Sequence, residues 1–256
     1  MTLKSVVTAS ALAFALSIIP AACSQASETS HPHWSYEGES GPEHWGAISG
    51  DYAACSQGKT QSPIDISTTK DEPLADISFA YKPSKTNIIN NGHTIQVNYD
   101  EGSSITLNGA QYNLAQFHFH DPSEHTVGGK PFAMEIHLVH KNAKGELAVV
   151  GVLIKEGMEN AALAETWKSL PKKADEKMTL KAGINAEDIL PKDRAYYRYS
   201  GSLTTPPCSE GVNWLVLKTP VEMSKAQIEA FKEIIHANAR PVQPLGDRTI
   251  GAKTAN

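Results

Sequence analysis

The 256-residue sequence predicts a single, mainly β domain with a few peripheral helices. Several short stretches are rich in β-branched residues or alternate apolar with polar ones, the pattern of strands. Only two stretches carry the three-to-four-residue apolar spacing of a helix. From Trp34 to Asn256 there is no linker, repeat or low-complexity run, and Pro and Gly are scattered as turn punctuation.

The predicted strands are, in order, NIINNGHTIQVNY (87–99), SSITL (103–107), AQFHFH (115–120), FAMEIHLVH (132–140), ELAVVGVLI (146–154) and VNWLVLKTPV (212–221). The stretch 159–169, ENAALAETWKS, reads as a helix. The stretch 224–239 reads as a second one, because Ser224 and Gln227 have capping-box spacing and Ile228, Phe231, Ile234 and Ile235 form an apolar stripe. A chain that is 40% hydrophobic is long enough to bury one large core without many disulfides. Its net charge of −5 is spread out, with no basic run for nucleic acid and no acidic tail for a basic partner.

Residues 1–26 have the plan of a secretory signal peptide: Lys4, an apolar stretch from Val6 to Ile19, then small residues, with cleavage after Ala26 and Ser24 at −3. Lipidation at Cys23 is the alternative, and Pro20 argues against it. An uncleaved anchor would have a short apolar stretch for a membrane span. Export to the periplasm or the cell exterior is therefore expected, with no span in the mature chain. Cys55 and Cys208 then remain; in an oxidising compartment they suggest one disulfide, with two buried free thiols as the alternative.

Ten histidines are more than packing needs, and three fall in AQFHFHDPSEHT (115–126). On a strand, His118 and His120 project to one face and Phe119 to the other. The segment DPSEHTVGGKP makes a hairpin connection that would lay FAMEIHLVH alongside. His137 and His140 differ by three and face opposite ways, so only one can join the pair. His137, flanked on its own face by Glu135 and Val139, is the better ligand. Gln116 and Glu135 could hold the other ring nitrogens, as metal-bound imidazoles require. Three neutral histidines with a fourth position open is the pattern of a catalytic zinc site. Spacing alone leaves this even with the alternative of unrelated histidines.

HWSYEGESGPEHW, QSPIDI, NNGHTIQVNY, QFHFH, SEHTV, EIHLVH, YRYSGSLTTPPCSEGVNW and NARPVQPL occur in that order, and together they resemble the α-class carbonic anhydrases from about Trp34 to Arg248. The resemblance implies that family's fold over residues 34–250: a large, twisted, mostly antiparallel mixed sheet. It implies Zn2+ as cofactor and reversible hydration of carbon dioxide to bicarbonate and a proton, by attack of zinc-bound hydroxide. It matches His118, His120 and His137 to the zinc ligands, and Gln116 and Glu135 to their hydrogen-bond partners. Thr204 matches the threonine that accepts a hydrogen bond from the hydroxide, Glu124 the acid that orients it, and His93 the proton shuttle. Val139, Val149, Leu203 and Trp214 match the carbon dioxide pocket, with Thr205 beside it. Thr205, Tyr36, Asn91 and Gln96 match polar groups of the water chain. Cys55 and Cys208 match the disulfide of secreted members.

Sulfonamide and anion inhibitors are implied; the oligomeric state is not. His31 and His33 read as tail residues, and His44, His125 and His140 as hydrogen-bonded structural ones. The chain departs from the family pattern at Asp121, where many animal members have Trp, and at Ser200, where many have Pro. Neither is expected to touch the chemistry. Non-catalytic binding modules of the same fold typically lack a zinc histidine, and all three are present here. Ester hydrolysis would be a side activity of the same narrow site.

Overall fold

The computed structural model describes Met1 and residues 32–253. Residues 2–26 of the predicted leader 1–26, with Cys23, and His31 lie outside the described residues.

The predicted mainly β architecture is what the chain adopts. A twelve-stranded sheet runs in the order Lys177–Ile184, Ser84–Asn90, Ile95–Asn98, Ala110–His120, Met134–Lys141, Leu147–Glu156, Glu210–Met223, Tyr196–Ser202, Gly251–Ala252, Lys70–Asp71. Off this path, Ser104–Leu107 pairs with the first half of Ala110–His120, and Ser78–Ala80 pairs with Ser104–Leu107. Neighbours are antiparallel except Leu147–Glu156 with Glu210–Met223 and Gly251–Ala252 with Lys70–Asp71. A small separate sheet joins Asp65–Ile66, Thr126–Val127 and Lys130–Pro131.

The central strands are covered on both faces, which explains why ELAVVGVLI reads as a continuous apolar run rather than an alternating one. On one face, Phe117, Phe119, Ile136, Leu138, Val150, Val152, Leu215 and Leu217 pack with Ile228 and Phe231 of the last helix. On the other, Val149, Leu153, Trp214 and Val216 pack with Tyr199, Ile64 and Ile66. Phe117 and Phe119 are wholly buried, each stabilising the fold by about 2–3 kcal/mol on area grounds.

The last helix, Lys225–Ile235, starts where its capping box predicts: the Gln227 N–H donates to Ser224 Oγ, and the Gln227 side chain accepts from the Ser224 N–H. The other predicted helix is cut to one turn, Ala164–Trp167. The residues before it are tied elsewhere: the Asn160 N–H donates to Gln227 Oε1 and its side chain to the Glu222 carbonyl. Pro171 lies just beyond. The sequence pattern missed two long strands. Lys177–Ile184 is a polar sheet edge, and Tyr196–Ser202 contains Gly201 and two serines.

Cys55 and Cys208 are disulfide-bonded, which excludes the free-thiol alternative. The bridge is consistent with an exported protein. No helix among the described residues is long and apolar enough to cross a membrane.

Candidate metal centre

Strand parity and register build the site. Phe117 and Phe119 face the core, so His118 and His120 face the opposite side. Met134–Lys141 pairs antiparallel with this strand and sets His137 directly opposite His118 and Glu135 opposite His120. The three imidazoles converge, with ring centroids 4.5–5.3 Å apart. One nitrogen from each lies within 4.8 Å of the others, a grouping able to hold a metal ion. His140 takes no part. Facing the other way, it lies in the core between the Tyr81 hydroxyl (2.7 Å) and the Ala148 carbonyl (3.2 Å).

Two of the three rings have one nitrogen hydrogen-bonded, and the third lies against a carboxylate. His118 Nδ1–H donates to Gln116 Oε1 at 2.8 Å, and His120 Nδ1–H to the Asn238 carbonyl at 2.8 Å. His137 Nε2 lies 3.0 Å from Glu135 Oε1, outside good hydrogen-bond geometry. Carbonyl and amide oxygens only accept, so His118 and His120 carry their protons on Nδ1 and turn a bare Nε2 inward. His120 Nε2 is buried without a partner. Burial, and then mutual repulsion, holds His118 well below the usual histidine range; burial brings His120 down to about 4 and lowers His137. The three rings are therefore neutral at neutral pH, the form that ligates cations. An unpartnered buried nitrogen among neutral imidazoles fits a metal such as zinc.

Glu135 anchors this arrangement. Burial would raise its pKa, but His125 and His137 hold the carboxylate well below its usual range. It accepts the backbone N–H groups of Glu124 (3.0 Å) and His125 (2.9 Å) and His125 Nδ1–H (2.7 Å). The relay continues from His125 Nε2 to the Tyr199 hydroxyl and from there to Ser62 Oγ. Gly151 lies across from His137 in the next strand, and a Cβ there would meet Glu135 Oε1 at 2.9 Å. Only glycine leaves the carboxylate this room.

Glu124 is wholly enclosed, and burial raises it to about 7 against the pull of His137, the Arg240 N–H and the Thr204 hydroxyl. Arg240 donates its backbone N–H to Glu124 Oε1 at 2.9 Å. Its guanidinium reaches the carbonyls of Ser62 and Cys55.

Val139, Val149 and Trp214 occupy one row across three adjacent strands. With Leu203 they form an apolar wall on the histidine face, and Trp214 lies 4.7 Å from the His137 ring. His93 stacks flat on Trp34, with centroids 3.7 Å apart and planes 7° apart; burial and then His33 lower its pKa. Tyr36 stands edge-on to the same His93 ring, and Asn91 Oδ1 is held inside its own turn by the His93 and Thr94 N–H groups. Gln96 is paired in register with His118 and donates to Asn98 Oδ1. Thr205 is half-buried and accepts the Cys208 N–H on its carbonyl.

Sequence reasoning missed Asn238, Gly151 and Arg240. Asn238 and Arg240 lie within NARPVQPL, so only the run of the motif pointed to them. Asp121, one of the departures from the family pattern, donates its N–H to Asn238 Oδ1 and accepts the Asn238 N–H on its carbonyl.

The family model for eukaryotic-type carbonic anhydrases matches residues 40–254. The chain is similar to a carbonic anhydrase of Klebsiella pneumoniae, 48% identical over 221 residues that cover 85% of this chain and 90% of the relative. It is similar to a carbonic anhydrase of Neisseria gonorrhoeae, 46% identical over 231 residues, with 90% and 91% covered. Among solved structures, the α-carbonic anhydrase of Thermovibrio ammonificans in complex with the inhibitor sulfanilamide superposes with a TM-score of 0.85 at 47% identity, over 86% of this chain and 99% of that one.

Proposed function

The chain belongs to the α-class carbonic anhydrase family, and from that premise we propose that it catalyses reversible hydration of carbon dioxide at a zinc ion held by His118, His120 and His137. The observation that supports this most directly is the buried, unpartnered His120 Nε2 in a cluster of neutral imidazoles, beside an apolar wall. Zinc in such a site brings the pKa of a water into the neutral range, an established property of the carbonic anhydrases, and so supplies hydroxide.

The remaining work falls to this chain's own side chains. Gln116, the Asn238 carbonyl and Glu135 fix the three rings, and burial keeps them neutral. Val139, Val149, Leu203 and Trp214 give carbon dioxide a dry surface next to the attacking oxygen. Thr204 has one hydroxyl proton. Given to Glu124, it leaves Thr204 Oγ1 as an acceptor that orients the nucleophile and rejects ligands with no proton to offer. Thr205 lines the same pocket. His93 carries the released proton between the site and solvent through water ordered by Tyr36, Asn91 and Gln96.

Residues 34–250 form the catalytic domain, following a leader over 1–26 that directs export. The sulfanilamide complex of the Thermovibrio ammonificans relative supports sulfonamide inhibition here.

The test is stopped-flow carbon dioxide hydration by the purified mature protein, with zinc measured on the same sample. Fast hydration, about one zinc per chain, and loss of rate with sulfanilamide are expected. One zinc without hydration would overturn the enzymatic reading and leave a metal-binding module.

A further inference from the structure

Asn238 has no room to move and no polar atom to spare. It is wholly buried in the segment after the last helix. Its carbonyl accepts His120 Nδ1–H at 2.8 Å, and its N–H donates to the Asp121 carbonyl at 2.9 Å. Its side-chain Oδ1 accepts the Asp121 N–H at 2.8 Å. Its side-chain Nδ2 donates twice, to the carbonyls of His93 and Phe119, each at 2.9 Å.

Those acceptors belong to different parts of the site. Phe119 and Asp121 flank His120 on the ligand strand. His93 sits in the 90–94 turn, closed by Gly92 N–H to Asn90 Oδ1 and by His93 and Thr94 N–H to Asn91 Oδ1. Thr94 Oγ1 also donates to the Phe119 carbonyl at 2.6 Å, so this one oxygen receives both the turn and Asn238. The Asn238 amide thus ties the ligand strand to the His93 carbonyl, beside the bonds that Thr94 makes with Phe119.

We propose that Asn238 is a positioning residue whose side-chain amide, alongside the Thr94–Phe119 bonds, couples the His93 turn to the metal ligand His120, so that metal binding and proton delivery are linked through one buried residue. This rests on the reading of His93 and His120 given above. A buried amide with both N–H groups and its oxygen used is geometrically over-determined, so a shift at either end is passed on rather than absorbed. Asparagine is required on these terms. Aspartate keeps the shape and the oxygen but loses both donations, and alanine loses the shape as well.

The test uses Asn238→Asp, with Ser224→Ala as a variant destabilised at the helix cap and remote from the site. Zinc affinity is measured by chelator competition, and turnover in weak and in strong buffer. Asn238→Asp is expected to weaken zinc binding by about 10–100-fold, the usual loss when a ligand's own partner is disturbed. It is also expected to lower turnover in weak buffer towards the level of His93→Ala. In the double variant, the turnover losses should not multiply, because both act on one proton route. Ser224→Ala should lower Tm with neither effect. A folded Asn238→Asp protein with wild-type zinc affinity and wild-type turnover would overturn the proposal, as would multiplicative losses. If Asn238→Asp does not fold, amide hydrogen exchange on the wild-type protein decides. Stripping zinc should speed exchange at His93 and Thr94, and unchanged exchange would overturn the coupling. If His93→Ala alone is unimpaired in every buffer, the shuttle reading fails instead, and the zinc-affinity result still judges the link from Asn238 to His120.

Discussion

Acidification should destabilise this fold through His140, a histidine with no part in the metal centre. The ring is wholly buried. Its Nδ1–H donates to the Ala148 carbonyl, which leaves Nε2 to accept the Tyr81 O–H. Burial holds its pKa at about 4, against the pull of those backbone carbonyls, whereas an unfolded histidine titrates near about 6.5. Between those values the unfolded chain binds a proton that the folded chain refuses, so stability rises with pH. The contribution is fully present above about 6.5, falls as pH drops, and is gone below about 4. At about 1.4 kcal/mol per pH unit, the difference amounts to about 3 kcal/mol. The assay is urea unfolding of the wild type and His140→Gln at intervals from pH 7.5 to 4. Glutamine can accept from Tyr81 and donate to Ala148, but it does not titrate. Acid effects at His118, His120 and His137 are common to both proteins and cancel in the comparison. The wild type should lose about 3 kcal/mol more than the variant across this interval. Parallel curves would refute the assignment of a neutral buried ring.

Replacing His118 by Ala should abolish both zinc binding and carbon dioxide hydration; an active, metal-free variant, seen by metal analysis beside stopped-flow, would sink the ligand set. Gly151→Ala should push Glu135 off His137 and weaken zinc binding by roughly tenfold or more, because the new Cβ would lie 2.9 Å from Glu135 Oε1; unchanged affinity in chelator competition would show that the carboxylate has slack. Reducing the Cys55–Cys208 bridge, which spans 153 residues, should cost about 5 kcal/mol on chain-entropy grounds and lower Tm by roughly 10–20 °C. An unchanged melting curve in reductant, with both thiols titrated, would contradict that role.

The sequence by itself determined the fold class, the helix 225–235 and the convergence of two histidines, because all three follow from local periodicity. Side chains alternate on a strand, so Phe119 in the core forces His118 and His120 onto the other face. A capping box is local too, and Ser224 with Gln227 starts its helix where the spacing says. Parity also set His137, not His140, on the face of His118 and His120, and the register places it opposite His118. Other features required the tertiary structure, because they join residues far apart in sequence. The helix over 159–169 shrank to one turn when Gln227 and Glu222 took the hydrogen bonds of Asn160. His125 reads from the sequence as a hydrogen-bonded structural residue, but its partners, Glu135 and Tyr199, are set only by the fold. Gly151 looks like an interruption in an apolar run, and its purpose shows only when the Glu135 carboxylate occupies the space a Cβ would take. Asn238 lies 118 residues from His120. No pattern of period two or three and a half reaches that far, and only the closing of the chain on itself sets its carbonyl against that ring.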